Sequence, residues 1–490
     1  MKITNPRSLK LTATLLLLLA AAPGAAEPPP NFVVIFADDL GYGDLGCYGS
    51  KTIRTPRIDR MAAEGARFTD FYAAAPFCSP SRASMLTGRY PGRAGVPHVL
   101  FPTERTGLPP SEVTAAELLR QAGYATACIG KWHLGYPPAL RAHRQGFDSF
   151  FGLPYSNDMY LWDRKEPFRA QHAFIELPLM RNDDTVEAPV NQRTLTRRYT
   201  DEAVRFIRDN RDRPFFLYLP HTFPHLPTYA GADFDGRSPH GHYADSVEEV
   251  DWSTGVILDT LAELGLDRRT LVVFTSDNGP TAARGGPKSH WGDRGIGGSP
   301  GPLRGWKGTT WEGGMCVPAV FRWPGRIPAG HEIAEVASIL DILPTVAALA
   351  GVAPPRDKVI DGGSLRGLLE GRSSGLGERL FCYYFGDQLQ AVRQGRWKLV
   401  RKLDEYPPYP TSLWFVNNEK LFQAQHRLQA APELYDLGQD IGEKNNVAGQ
   451  FADVVRKLEK LAEEFDAGLQ RDKQPPVFAE EGAQLWGGVE

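Results

Sequence analysis

Asn31-Phe32-Val33-Val34-Ile35-Phe36-Ala37-Asp38-Asp39 decides the fold. An unbroken apolar run without polar alternation reads as a strand buried on both faces, as in parallel sheets. Two carboxylates stand at its carboxyl end, followed by Gly41-Tyr42-Gly43-Asp44. Ligand sites of open α/β sheets lie at such ends. Far along the chain, Leu271-Val272-Val273-Phe274-Thr275-Ser276 repeats the pattern and ends in Asp277-Asn278-Gly279. Acids after strands can simply cap turns. Two buried strands that each bring adjacent oxygen donors to one edge point instead to a shared metal. Asp38, Asp39, Asp277 and Asn278 carry three negative charges between them, which suits a hard cation, Ca²⁺ or Mg²⁺.

Between these strands, helical and extended segments alternate. Pro56 to Gly65 reads as a helix, Ala66 to Tyr72 as a strand, and Glu112 to Ala122 as a helix that Thr114 could begin. Ala125 to Ile129 is a strand ending in Gly130-Lys131-Trp132-His133-Leu134-Gly135. Lys131 and His133, two apart, project to the same side. Leu153 to Asp158 is a loop, and Tyr160 to Gln192 is polar and irregular. Thr200 to Asp209 is an amphipathic helix. Pro214 to Leu219 is a buried strand, followed by His221 and His225. Ser246 to Leu264 is a long helix, and Ser338 to Leu349 an apolar one in which Asp341 is structural. Pro280 to Gly305 is a long loop rich in Gly, Ser, Pro and Arg. Leu380–Phe385, Gln390–Arg393, Trp397–Arg401 and Glu433–Leu437 read as short antiparallel strands, with an amphipathic helix over Val454–Leu469.

At 490 residues the chain can bury a large core, and two domains are favoured. The net charge of −3 gives no bulk electrostatic case for nucleic acid or an anionic membrane. Residues 1–26 read as a secretory signal peptide: Lys2, Arg7 and Lys10, an apolar run from Leu11 to Ala22, then Gly24-Ala25-Ala26. The run is short for a bilayer span, and no later segment is long and apolar enough. The expectation is a protein exported to a periplasm or beyond, with no transmembrane segment after cleavage. The other expected units are a catalytic domain at 27–370, a small α+β domain at 371–475 and a tail at 476–490. The spacing of Cys47, Cys78, Cys128, Cys316 and Cys382 matches no zinc motif.

Cys78-Ser79-Pro80-Ser81-Arg82 precedes Ala83-Ser84-Met85-Leu86-Thr87-Gly88-Arg89. Pro80 suits a first helical turn and Gly88 a stop, so Ser81 to Thr87 reads as a helix. Cys78 then sits beside a helix N-terminus that favours anions, with Arg82 pointing back at the same place.

Cys-x-Pro-Ser-Arg followed by Leu-Thr-Gly-Arg resembles the signature of the type I, formylglycine-dependent sulfatases. Gly130-Lys131-Trp132-His133-Leu134-Gly135 and Lys307-Gly308-Thr309-Thr310-Trp311-Glu312-Gly313-Gly314 are similar to further motifs of that family. Pro154-Tyr155-Ser156 is similar to a segment of its arylsulfatase A and N-acetylgalactosamine-6-sulfatase-like branch. The resemblance runs from about Asn31 to about Asn446. It implies an α/β fold: an alkaline-phosphatase-like large mixed sheet flanked by helices, with a smaller C-terminal antiparallel α+β domain. It implies hydrolysis of sulfate monoesters, of a sulfated small molecule or a sulfated glycan. A separate formylglycine-generating enzyme would convert Cys78 into the nucleophile. One divalent cation, usually calcium, would lie on Asp38, Asp39, Asp277 and Asn278, with the residue at 78 beside it. Arg82 would hold the hydrate, Asp277 activate its hydroxyl, and His133 take a proton from its second hydroxyl. Lys131, Ser156, His225 and Lys307 would touch the sulfate, and the last two would help the alcohol leave. His225 fits the family's His-x-Pro context, and His221 is then a neighbour or structural residue. Asp440-Ile441 departs from a frequent Asp-Pro, which concerns a turn. A two-zinc phosphatase of the same superfamily needs more histidine ligands, and here Asn278, not His, follows Asp277.

Overall fold

The computed structural model describes residues 1, 28–160, 176–282, 292–295, 297–372, 376–404 and 428–478. The signal peptide expected at 1–26, apart from Met1, and the end of the tail lie outside the described residues. So do parts of the loops expected at 160–192 and 280–305.

A ten-stranded mixed sheet forms the centre. Across it lie His331–Ile333, Ala66–Phe68, Ala319–Arg322, Thr270–Ser276, Asn31–Ala37, Phe215–Pro220, Ala125–Ile129, Ser149–Gly152, Leu179–Arg181 and Asp184–Glu187. Thr270–Ser276, Asn31–Ala37, Phe215–Pro220, Ala125–Ile129 and Ser149–Gly152 run parallel to one another. Every residue of Asn31–Ala37 is buried. Burying each large apolar side chain contributes about 1.5–3 kcal/mol before chain entropy is subtracted. Asn31 ties the central strands together at their start: its side chain accepts from the Phe215 N–H at 3.2 Å and donates to Thr270 Oγ1 at 3.2 Å. At the other end, Gly130 has φ of 133°, and a Cβ there would sit 1.9 Å from the Pro220 carbonyl oxygen. Only glycine lets the chain leave the sheet at that point.

Two groups of helices flank the sheet. Pro56–Ala63 and Leu195–Asp209 pack against Gly241–Glu263, while Cys78–Thr87, Ala115–Gln121 and Ile342–Ala350 pack together. Thr114 caps its helix with Glu117 reciprocating, as the sequence predicts. Leu195–Asp209 starts earlier than expected, and Ser338 to Leu349 divides into the end of the short strand Ala337–Ser338, a 3₁₀ turn and a helix. Asp341 is structural: it accepts from Ser338 N and pairs with Arg379. The segment expected to be irregular after Tyr160 contains the hairpin Leu179–Arg181 and Asp184–Glu187, which extends the sheet. Its outer strand is mostly exposed, so no apolar alternation marks it.

A separate antiparallel sheet follows: Leu380–Phe385, Gln388–Gln394, Trp397–Val400 and Glu433–Asp436, with Ala452–Asp472 packed on it. A buried network joins it to Glu312 and to the short strand Phe71–Tyr72 of the rest of the chain. Lys398 Nζ lies 2.9 Å from Glu312 Oε1 and 2.8 Å from Glu443 Oε1, and Tyr72 and Tyr383 donate to Glu312. All five cysteines are unpaired. Among the described residues, no helix is long and apolar enough to cross a membrane.

Candidate active site

The five parallel strands release their chains at one edge. Asp277 and Asn278 follow Thr270–Ser276, Asp38 and Asp39 follow Asn31–Ala37, His221 and His225 follow Phe215–Pro220, Lys131 and His133 follow Ala125–Ile129, and Ser156 follows Ser149–Gly152. Helix Cys78–Thr87 and the loop carrying Lys307 complete the ring. The helix begins at Cys78 itself, three residues before the expected start, with Phe77 as N-cap and Gly88 in the left-handed region at its end.

Cys78 Sγ lies 3.5 Å from Asp38 Oδ1, 3.9 Å from Asp39 Oδ1 and 3.2 Å from Lys307 Nζ. Arg82 is fully buried and bridges Asp277 Oδ2 at 2.7 Å and Asp38 Oδ1 at 3.2 Å. Lys131 Nζ reaches Asp38 Oδ2 at 2.6 Å and Ser156 Oγ at 3.2 Å. Lys307 Nζ is 2.7 Å from Asp39 Oδ1. His225 Nε2 faces Ser156 Oγ at 3.4 Å and Asp39 Oδ2 at 3.6 Å. Asp39 and His133 hold φ of 63° and 56°, strained for non-glycine residues, as is common at working sites.

Burial opposes ionisation of Asp38 and Asp39. Lys131 and Arg82 around the first, and Lys307 around the second, overcome it and hold both below the usual carboxylate range. Asp277 rises to about 7, through burial and then the neighbouring Asp38 charge. Burial works against the Lys307 charge, but Asp39 outweighs it and keeps the ammonium protonated. Burial pushes the Cys78 thiol up, so the unmodified side chain is not a thiolate at neutral pH.

The donor set fits a hard cation. Carboxylate oxygens of Asp38 and Asp277 lie within 4.8 Å of each other and of Cys78 Sγ, and Asp39, Cys78 and His225 form a second such group. Asn278 Oδ1 is buried with no hydrogen-bond partner, while its Nδ2 donates to Asp39 Oδ1 at 2.7 Å. The Gly279 carbonyl, 2.8 Å from the same nitrogen, fixes that orientation, and the unpartnered Oδ1 is the fourth oxygen of the set.

The two histidines differ in setting. His133 Nε2 lies 2.9 Å from the Leu100 carbonyl, which can only accept, so Nε2 carries the hydrogen. Its Nδ1 is then bare, buried and without a partner. Burial, with Lys131 and Arg82, holds the ring far below the usual imidazole range and hence neutral. His221 turns away from the site toward Ser253 Oγ at 3.3 Å. Thr281 was not singled out by the sequence, yet its hydroxyl donates to Asp39 Oδ2 at 2.5 Å. Asn157 was also missed, and contacts His225. Its position directly after Ser156 was the available signal.

Residues 30–352 match the sulfatase family model, and residues 377–482 match that for the C-terminal region of aryl-sulfatase. The chain belongs to the sulfatase family. It is 41% identical to human arylsulfatase A, with 88% of this chain and 86% of the relative covered. Steryl-sulfatase of Mus musculus is 38% identical (94% and 86% covered), as is N-acetylgalactosamine-6-sulfatase of Canis lupus familiaris (90% and 86%). The PsFucS1 sulfatase from Pseudoalteromonas sp. superposes with a TM-score of 0.76 at 28% identity, over 92% of each chain. A phosphonate monoester hydrolase of Agrobacterium radiobacter shares the fold at 21% identity and a TM-score of 0.58, covering 92% of this chain and all of the other. This sulfatase is a sulfuric ester hydrolase, with an alkaline-phosphatase-like sheet and a small antiparallel C-terminal sheet.

Proposed function

We propose that this sulfatase hydrolyses sulfate monoesters of carbohydrates through formylglycine at position 78 and one bound Ca²⁺ or Mg²⁺. The observation that carries the reading is the convergence of Cys78 with three carboxylates and three cations at the end of five parallel strands. Cys78 Sγ stands where an oxygen of the formylglycine hydrate would lie, and that hydrate supplies the nucleophile when the modification is present. The divalent cation, held by Asp38, Asp39, Asp277 and Asn278 with residue 78 beside it, supplies positive charge to the sulfate oxygens. Without it, Asp38, Asp39 and Asp277 balance Arg82, Lys131 and Lys307. Bound metal therefore leaves positive charge that an anionic ester completes.

This chain's residues do the rest. Arg82 holds Asp277 and Asp38 and, in the modified enzyme, the hydrate. Asp277 takes the proton of the attacking hydroxyl. Lys131 and Ser156 orient the sulfate. Either Lys307, 3.2 Å from the residue 78 side chain, or His225 as an imidazolium carrying hydrogen on both nitrogens, through Nε2–H, gives the leaving alcohol its one proton. His133 receives a proton at the bare Nδ1 from the second hydroxyl as sulfate departs and the aldehyde is restored.

The domain division at 27–370 and 371–475 and export after cleavage at 1–26 complete the proposal. Release of sulfate from extracellular polysaccharide would give the export signal its purpose. A relative named for N-acetylgalactosamine-6-sulfate supports a sulfated sugar. The test is enzyme co-produced with a formylglycine-generating enzyme and assayed on sulfated mono- and oligosaccharides, aryl sulfates and phosphate monoesters. Sulfated sugars should be turned over with the highest kcat/KM. A preference for phosphate monoesters, or activity confined to aryl sulfates, refutes the reading.

A further inference from the structure

His225 must point one particular nitrogen at the ester, and the structure contains a bracket that enforces it. Asn157 is fully buried. Its Nδ2 lies 3.0 Å from the Pro227 carbonyl oxygen and 3.0 Å from Gln192 Oε1. A carbonyl only accepts, so this nitrogen is the amide NH₂ and the orientation of Asn157 is fixed. Asn157 Oδ1 is then an acceptor, and it lies 3.0 Å from His225 Nδ1. The hydrogen of that pair belongs to His225 Nδ1. The Leu226 carbonyl, 2.6 Å from the same nitrogen, also only accepts and gives the same assignment. Both acceptors depend on Asn157: Oδ1 is one, and Nδ2 pins Pro227, the residue next to the carbonyl that is the other. Gln192 closes the bracket, since its Nε2 donates to the Asn157 backbone oxygen at 3.2 Å.

The loop bearing Asn157 is itself tied to the site. Trp132 N and His133 N donate to the Leu153 and Pro154 carbonyls at 2.9 and 3.0 Å. Asn157 is thus anchored beside Lys131 on one side and Pro227 on the other.

We infer that Asn157, braced by Gln192, is a positioning residue that holds the His225 ring with Nδ1–H turned away and Nε2 turned toward the leaving oxygen. This rests on the reading of His225 as a proton donor to that oxygen. Without the bracket the ring can rotate or bond elsewhere, and protonation of the leaving group suffers. Departure of an acidic phenol suffers little, because it needs little protonation.

The test is a series of aryl sulfates running from 4-nitrophenyl sulfate to phenyl and alkyl-phenyl sulfates. Formylglycine-bearing wild type, Asn157→Ala, Asn157→Asp, Gln192→Leu and His225→Ala are compared by kcat/KM. General acid assistance is worth about 10²–10⁴-fold, so losing its alignment should cost part of that. Asn157→Ala is expected to leave 4-nitrophenyl sulfate within about 3-fold of wild type and to lose about 10- to 100-fold on phenyl sulfate. Asn157→Asp keeps the Oδ1 acceptor but loses the donor to Pro227 and Gln192, so it should recover only part of the shallow dependence on phenol acidity. Gln192→Leu, at a half-buried position, should steepen it in the same direction and serves if Asn157→Ala does not fold. A merely structural role lowers every substrate by the same factor, and parallel lines for the Asn157 and Gln192 variants overturn the inference. If His225→Ala steepens the dependence and these variants do not, only the bracket fails. If His225→Ala is also parallel to wild type, its assignment as the acid falls, and the bracket with it.

Discussion

His221 makes the native state sensitive to acid, by an amount that can be worked out in advance. Its side chain is fully buried, with Nε2 toward Ser253 Oγ and Nδ1 without a partner. Burial alone lowers its pKa to about 3. In the unfolded chain the ring titrates near about 6.5. Above that value neither state binds the proton, and the stability is fully present. Below it the unfolded chain takes a proton that the native state refuses, so stability falls as pH drops from about 6.5 toward 3. At pH 5 the unfolded ring lies about 1.5 units past its midpoint, and at about 1.36 kcal/mol per unit the loss is about 2 kcal/mol. That figure hardly depends on how far below 5 the native value lies. His221→Gln retains a partner for Ser253 and removes the titration. Urea unfolding of both proteins at pH 8 and pH 5 gives the double difference, from which other groups cancel. Wild type should lose about 2 kcal/mol more than the variant on acidification. Equal losses would show that His221 is protonated in the native protein and that the burial argument is wrong.

Three further outcomes follow from the site and the domain contact. In active enzyme, the peptide containing residue 78 should be about 18 Da lighter than its thiol form, and full activity from thiol-only protein would falsify the formylglycine reading. Asp38→Asn should abolish both stoichiometric Ca²⁺ or Mg²⁺ and turnover, because it removes one of the site's three negative charges and strands Lys131 and Arg82; stoichiometric zinc in active wild type speaks against a hard-cation site. Lys398→Met leaves Glu312 and Glu443 buried without their cation and should cost about 3–5 kcal/mol in urea unfolding, with Lys398→Met/Glu443→Gln less damaged than the single variant; equal stability of wild type and single variant refutes that role.

The parts of the fold that could be read from sequence are those whose physics is local. Asn31–Ala37 and Thr270–Ser276 are buried on both faces, so their composition alone marks them as central strands. Their oxygen-rich ends were expected at one edge, and the structure pairs the two strands in parallel, side by side. Asp184–Glu187 stayed hidden because an exposed edge strand carries no apolar pattern. The helix start at Cys78 was displaced because Pro80 is tolerated anywhere in a first turn, where its missing N–H has no partner to lose.

The site divides along a similar line. The residues proposed to hold the anion and the metal are chemically unusual for their surroundings, and two buried aspartates or a strand-end lysine stand out in a bare sequence. Residues that aim them do not. Asn157 and Gln192 are ordinary amides until Pro227 fixes the hydrogen of one and His225 reads the oxygen of the other end. Glu312 lay inside a recognised motif without a role, because its partners Lys398 and Glu443 come from the small sheet and a turn that follows it, 86 and 131 residues away. That network anchors the segment leading from Lys307 to Glu312, and Thr310 adds a hydrogen bond to Gln390 at 2.7 Å. The small C-terminal sheet therefore grips the chain five residues from Lys307. Loosening Lys398 or Gln390 should be felt first in the placement of Lys307.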